Sequence, residues 1–262
     1  MTKRTNPTDA FGFYSAITGT HMSRSMMLEE LTALLRGTRE DASLEAMKKA
    51  IVEENLLGKP TASSRENTFN HLRRAYTLDM TKVLWRVLRR FYATEPQALP
   101  LMALVLVYSR DLQLRKSFDL VGGMKVGEKL PRVQMEEAME AAFPERYSKG
   151  MKGSLARNVN TTWTATGHLL GRQYKVRSYP KAHWLATTYA MFVGYLAGVR
   201  GQVLLDSVYA RLVGVDPMTA ADHLSIASAH GLLRFRNAGG VVETDFSSLL
   251  QPSEQLMLHG AH

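Results

Sequence analysis

The spacing of apolar residues predicts that most of the chain is helical. Apolar positions recur three and four residues apart in one segment after another, which is the repeat of a helix with one buried face. Glycine, proline and short polar runs separate these segments and mark their ends. The predicted helices cover residues 23–36, 41–54, 65–75, 79–92, 97–110, 111–120, 132–143, 154–170, 202–213 and 218–230.

The last part of the chain follows a different pattern. Asp216 is suited to cap a helix whose first position is Pro217, and Gly231 ends that helix. Residues 232–236 and 241–246 then predict two strands joined by a glycine-containing turn. Helices followed by a two-stranded ribbon are the order of a winged helix. The predicted fold class is therefore all-α, a mainly helical bundle with a small winged-helix-like element near the C-terminus that contains a two-stranded β-ribbon.

Two apolar segments are too short to cross a bilayer. Residues 98–108 and 183–199 both fall below the roughly 20 apolar residues that a membrane helix needs, so buried core helices are predicted there. Residues 1–13 have charges and a proline but no apolar run, and they are interpreted as a flexible arm. The chain contains no cysteine. This fits a reducing compartment, and a cytoplasmic location is expected.

Charge narrows the choice of function. The 262 residues include 33 Lys and Arg against 24 Asp and Glu, a formal net charge of +9. Hydrophobic residues make up 45% of the chain, so a globular core is expected and the excess charge should lie at the surface. A basic surface attracts polyanions, chiefly nucleic acid or an anionic membrane. The alternative is that the charge only keeps the protein soluble.

One long segment contains no acidic residue. Between residues 146 and 205 there is no Asp or Glu, and tyrosine and tryptophan alternate with the cations. Cations neutralise phosphates and exposed aromatic rings stack on bases, so we interpret the segment as a nucleic-acid-binding surface. The alternative is a solvated basic face with buried aromatic residues. Lys175 and Arg177 are expected on an exposed connection before Pro180. The candidate DNA-binding residues here are Lys149, Lys152, Arg157, Arg172, Lys175, Arg177 and Lys181.

A second basic cluster lies between residues 65 and 90. Its last four cations are three and four residues apart, so they are predicted to share one exposed side of a helix. The alternative is a face turned to solvent or to an acidic partner protein. The candidate DNA-binding residues in this cluster are Arg65, Arg73, Arg74, Lys82, Arg86, Arg89 and Arg90.

Catalytic patterns are weak throughout the chain. The eight histidines are scattered, and no two have the spacing of a helical zinc motif. Asp111 and Asp119 have no neighbours that would complete a nuclease metal site. Neither common type of phosphate-binding glycine loop occurs. The sequence therefore indicates a protein that is not an enzyme, with no catalytic residue, no metal site and no cofactor.

Four short segments in a fixed order resemble the BrxA family, an accessory component of BREX bacteriophage-exclusion systems. The resemblance covers residues 14–171. The segments that carry it are Tyr14–Gly19 before a helix, Asn55–Lys59 with Thr61–Arg65, Leu114–Asp119, and Trp163–Thr164 before a helix ending near Gly171. It implies a helical fold similar to the NusB antitermination factor, DNA binding without known catalysis, and work alongside a methyltransferase, an ATPase and other defence proteins.

These observations lead to one main hypothesis and two alternatives. The resemblance divides the chain into the arm at 1–13, a helical domain at 14–171 and an extension at 172–262. We expect a non-enzymatic DNA-binding accessory protein of a phage-defence system, which contacts the phosphate backbone. Its expected partners are nucleic acid, duplex DNA first, and other BREX components, with no membrane. The alternatives are a protein–protein scaffold and a winged-helix transcriptional regulator that reads DNA with residues 218–230.

Overall fold

Helices make up most of the structure, which confirms the mainly helical fold class. The computed structural model describes residues 7–14 and 19–259. Residues 1–6 of the predicted arm and 15–18 of the first family-like segment lie outside the described residues. In chain order the α-helices are α1 (Pro7–Phe11), α2 (Leu28–Gly37), α3 (Leu44–Val52), α4 (Ala62–Tyr76), α5 (Val83–Thr94), α6 (Leu99–Tyr108), α7 (Leu112–Gly123), α8 (Arg132–Ala142), α9 (Lys149–Ala165), α10 (Trp184–Leu196), α11 (Gln202–Leu205), α12 (Val208–Leu212), α13 (Pro217–Ala229) and α14 (Pro252–His259).

The strands form two small antiparallel sheets. Strands β4 (Arg234–Ala238) and β5 (Val241–Asp245) pair as the predicted ribbon, and Gly239 and Gly240 form the turn with positive φ angles of 59° and 80°. The other sheet has the order β1-β3-β2. Its strands are β1 (Lys129–Leu130), β2 (Leu169–Leu170) and β3 (Lys175–Arg177). The sequence pattern did not predict this sheet.

The described residues divide into two compact units. Unit 1 contains residues 7–14, 81–105 and 181–259, and unit 2 contains residues 19–80 and 106–180. Each unit is assembled from segments that are distant in the sequence. The contiguous division into an arm, a domain and an extension stays a prediction.

The apolar segments that were too short for a membrane form buried helices. In unit 1, every residue of α10 from Leu185 to Leu196 is buried. The Tyr189 hydroxyl donates a 2.8 Å hydrogen bond to the Leu84 carbonyl oxygen, which fixes α10 against α5. Phe11 is buried at 2% exposure, so α1, at the end of the predicted flexible arm, packs onto the rest of unit 1. No helix in the described ranges is long and apolar enough to cross a membrane.

Several predicted boundaries were wrong. The predicted helix at 154–170 is shifted: α9 begins after the Ser148 cap and ends at Ala165, and its last predicted residues form β2. The segment predicted as one helix at 202–213 is two short helices, α11 and α12. The sequence pattern did not predict α14.

Candidate nucleic-acid interface

Helix α4 has a polar side on which Glu66 is the one acidic residue, and Glu66 pairs with Lys48 at 3.7 Å. Its buried side is set by Leu72 and Tyr76, both at 0% exposure. Asn67, Asn70 and Arg74 are three and four residues apart, so they line the opposite side, and all three are exposed. Amide and guanidinium groups both donate hydrogen bonds to phosphate oxygens. The helix starts at a capping box in which Thr61 and Ser64 bond each other's backbone.

A buried polar network holds the segment that precedes α2. His21 is at 0% exposure, and its Nδ1 lies 3.0 Å from the Asp111 carboxylate. Its Nε2 lies 2.8 Å from the Thr162 hydroxyl. Gly19 completes the contact by donating to the Gln113 side chain, and a Cβ at Gly19 would come within 2.2 Å of that oxygen. Residues 19–21 are therefore fixed against α7 and α9.

The other end of the same segment is fixed as well. The Tyr76 hydroxyl donates a 2.5 Å hydrogen bond to the Met26 carbonyl oxygen. Because both ends are held, Arg24 between them stays beside the C-terminal half of α4. Burial, followed by the charges of Arg24 and Arg74, lowers the pKa of His71. The two guanidinium groups therefore lie within electrostatic reach of this imidazole.

Arg110 brings a further cation to the same place. Its guanidinium donates hydrogen bonds of 3.3 and 3.2 Å to the Arg74 carbonyl oxygen at the end of α4. Neither Arg24 nor Arg74 forms an ion pair with a carboxylate among residues 7–14 and 19–259. We call Arg24, His71, Arg74 and Arg110, with Asn67 and Asn70, the α4 cationic face. Arg24 and Arg110 were not among the predicted DNA-binding residues, because each is isolated in the sequence.

The two other predicted cations of α4 differ in exposure. Arg73 is exposed and Arg65 is half-buried. Glu66 lies between them in sequence and pairs with Lys48 at 3.7 Å. Arg73 is thus one more exposed cation, next to Arg74 in sequence, at the edge of the α4 cationic face.

The four cations at the start and along α5 do not share one exposed side of the helix, as had been predicted. Arg90 is exposed and Lys82 is half-buried, but Arg89 is buried at 2% exposure with its guanidinium 5.7 Å from the centre of the Trp85 ring. Arg86 forms two hydrogen bonds of 3.0 and 2.6 Å with Glu254 of α14. The prediction that all four cations face solvent was wrong, because α5 is buried on more than one side.

The prediction for Lys175 and Arg177 was also wrong in its structural premise. Both residues lie in β3 rather than on an exposed connection. Arg177 is buried at 5% exposure and donates to the carbonyl oxygens of His168 and Ser178. Lys175 is half-buried and donates a 2.7 Å bond to the Gly171 carbonyl oxygen.

The remaining cations of the acid-free segment are mostly exposed. Lys149, Arg157 and Arg172 are exposed in unit 2, and Lys181 is exposed in unit 1. Lys152 is half-buried and pairs with Glu140 of α8 at 2.9 Å. The segment is therefore free of acids in the sequence but not in space, since α8 packs against α9.

The winged-helix-like element offers few free cations. The exposed side of α13 carries Met218, Asp222 and Ile226, with no Lys or Arg. In the ribbon, Arg234 pairs with Asp245 at 2.6 Å, and Arg236 lies opposite Glu243. Base-reading helices normally present Arg, Lys, Asn or Gln to the major groove, and this helix does not.

The structure thus defines a mainly helical protein with a cluster of cations beside α4 in one of its two units. Among the described residues, no group of three or more His, Asp or Glu could hold a metal ion. Residues 18–109 match the family model BrxA. This region is less than half of the length of the chain and contains α2 to α6. No curated protein matches the chain. The match agrees, over residues 18–109, with the resemblance to BrxA that the sequence segments indicated.

Proposed function

We propose that this chain binds duplex DNA as a non-enzymatic accessory protein of a BREX-type defence system. The observation that carries the proposal is the α4 cationic face. The positive charges of Arg24 and Arg74 both lower the pKa of His71, and neither arginine pairs with a carboxylate of the described residues. Holding like charges together is unfavourable unless a polyanion neutralises them, and a duplex offers about one phosphate per 1.7 Å of axis.

The composition of the face favours backbone contact over base reading. Arginine and asparagine at three- and four-residue spacing on one side of a helix can follow a row of phosphates. Most of the face, from Arg24 to Arg74, also lies within the residues that match BrxA. The binding should therefore depend strongly on salt and little on DNA sequence.

The experiment is a fluorescence anisotropy titration of the full chain with two unrelated duplexes. Neutralising about 4–6 phosphates should give a log–log salt slope of about −4 to −5. Replacing Arg24 and Arg74 together with alanine should reduce the magnitude of the slope by about 2 and weaken both duplexes equally. A slope near zero for the wild type would refute the proposal.

A matched control distinguishes the effect of losing the α4 cationic face from the effect of lowering the net charge of the protein. Arg132 is exposed in the same unit, but its charge is already matched by Glu136 at 2.9 Å. Arg132→Ala should bind both duplexes like the wild type. Equal losses in Arg132→Ala and in the Arg24, Arg74 double variant would show that the α4 cationic face is not the binding surface. Circular dichroism verifies that all variants are folded.

The scaffold alternative is favoured over the transcriptional regulator by one observation. Met218 is 74% exposed and Ile226 is 42% exposed on a helix side that lacks cations. Exposed apolar residues on such a helix suit contact with another protein better than contact with DNA bases. If a selection from random duplexes yielded one preferred operator sequence, the transcriptional regulator would be favoured over the scaffold.

A further inference from the structure

The small sheet of unit 2 presents apolar side chains to solvent. The register places Lys129, Val176 and Leu170 side by side in one row across the three strands. Leu170 is 56% exposed at one end of this row, and Lys129 is exposed at the other end. The opposite face is packed into the unit, where Leu130 and Leu169 are buried. The sheet therefore has one buried face and one outer face that is both apolar and cationic.

The turn between β2 and β3 displays an aromatic ring at the edge of that face. Gly171 has a φ of +91°, and a Cβ there would come within 2.1 Å of the Tyr174 carbonyl oxygen. The Lys175 ammonium also donates to the Gly171 carbonyl oxygen. The turn is therefore tightly closed, and Tyr174 projects from it at 72% exposure. We call Lys129, Leu170, Arg172, Tyr174 and Val176 the sheet platform.

The chemistry of this platform indicates which partner fits it. Lys129 and Arg172 flank the apolar residues, so the partner carries negative charge along with flat apolar surfaces. A paired duplex presents phosphates outside and buries the faces of its bases. Unpaired nucleotides present both at once, and aromatic side chains beside cations are the usual surface that binds them.

We propose that the sheet platform binds unpaired nucleotides of single-stranded nucleic acid. Tyr174 stacks on one base, Leu170 and Val176 contact the neighbouring base, and Lys129 and Arg172 contact the phosphates. The inference rests on the proposed nucleic-acid binding but uses a different surface from the α4 cationic face. Both surfaces lie in unit 2.

The test compares three probes of equal length with the full chain. The probes are a single strand of about 20 thymidines, the same strand with abasic sugars, and a duplex. The abasic strand keeps the phosphates and lacks the bases. The wild type should bind the thymidine strand more tightly than the abasic strand. Tyr174→Ala should weaken binding of the thymidine strand by about fivefold to a hundredfold and leave the other two probes unchanged.

Two further variants identify the interaction. Tyr174→Phe keeps the ring and should bind the thymidine strand like the wild type. Leu170→Ala should weaken binding of the thymidine strand. Leu256 in α14 of unit 1 is also exposed, at 74%, and serves as the control, since Leu256→Ala should leave this binding unchanged. These side chains are exposed, so folding should be unaffected.

The outcomes separate the two proposals. Equal wild-type affinity for the thymidine and abasic strands, or no effect of Tyr174→Ala, overturns the platform while duplex binding through the α4 cationic face stands. A loss in Tyr174→Ala that is equal for duplex and thymidine strand also overturns it, since the ring would then act on paired DNA. Absence of binding to all three probes overturns both proposals.

Discussion

Replacement of Asp111 by asparagine should expose how much the buried network of unit 2 contributes to stability. Burial alone would raise the pKa of Asp111, but the charge and ring hydrogen bond of His21, followed by the backbone N–H groups of Leu114 and His21, lower it to about 2 from 3.8. This difference corresponds to about 2 kcal/mol of stability. A carboxyl group with a lowered folded pKa stabilises the protein above its unfolded pKa, and the contribution is lost as the pH falls from about 4 to about 2.

The substitution should therefore show a particular dependence on pH. Because an asparagine side chain cannot ionise, Asp111→Asn should lower the free energy of unfolding by about 2 kcal/mol at neutral pH. The gap between wild type and variant should narrow by about 1 kcal/mol between about pH 5 and pH 3. Urea titrations followed by circular dichroism at these pH values measure the gap.

A surface carboxylate serves as the control for that experiment. Asp119 is exposed and pairs with exposed Lys116 at 3.7 Å, so Asp119→Asn should change the free energy of unfolding by less than about 0.5 kcal/mol. If the difference in the free energy of unfolding between the wild type and Asp111→Asn stayed constant with pH, the reasoning would be refuted, because the charge of the carboxylate would then contribute nothing to stability.

Three other contacts should give measurable effects. Because a bound phosphate would raise the lowered pKa of His71, duplex affinity should rise severalfold as the pH falls from about 7.5 to about 5.5; His71→Gln should remove this rise in an anisotropy titration, and a rise that persists would contradict the placement of DNA there. Arg86→Ala leaves the Glu254 carboxylate, at 7% residue exposure, without its partner, and should cost about 3 kcal/mol in urea unfolding; a cost below about 1 kcal/mol would show that the pair is in effect a surface pair. Asp216→Ala removes the side chain that caps α13 and should lower stability by about 1 kcal/mol, whereas exposed Asp222→Ala should not; equal effects would argue against the cap.

Local signals in the sequence predicted local structure well. The Asp216 cap and Pro217 at the first position of α13 are confirmed, because both act within a single turn. The β4–β5 ribbon is confirmed too, since two glycines are enough to define its turn.

Features that depend on distant segments could not be predicted from the sequence. The sheet of unit 2 pairs Lys129 and Leu130 with residues more than forty positions away, and strands of two or three residues have no periodicity of their own. Arg89 lies four residues after Trp85 and packs over its ring. Trp85 is buried although it lies outside the apolar stripe that the spacing of α5 predicts, so the burial of Arg89 could not be predicted either. Arg24 joins the α4 cationic face only because His21 and Met26 are fixed by residues of other helices.

The interleaving of the two units along the chain limits how the protein can be divided. The chain passes from one unit to the other after residues 14, 80, 105 and 180, and the third of these passages falls inside α6. A fragment that ends at residue 109, where the BrxA match ends, would retain α4 but lose Asp111, α7 and α9, which hold residues 19–21 in place. Such a fragment should be degraded rapidly by trypsin, whereas the intact chain resists. We therefore expect residues 18–109 to need later parts of the chain in order to fold.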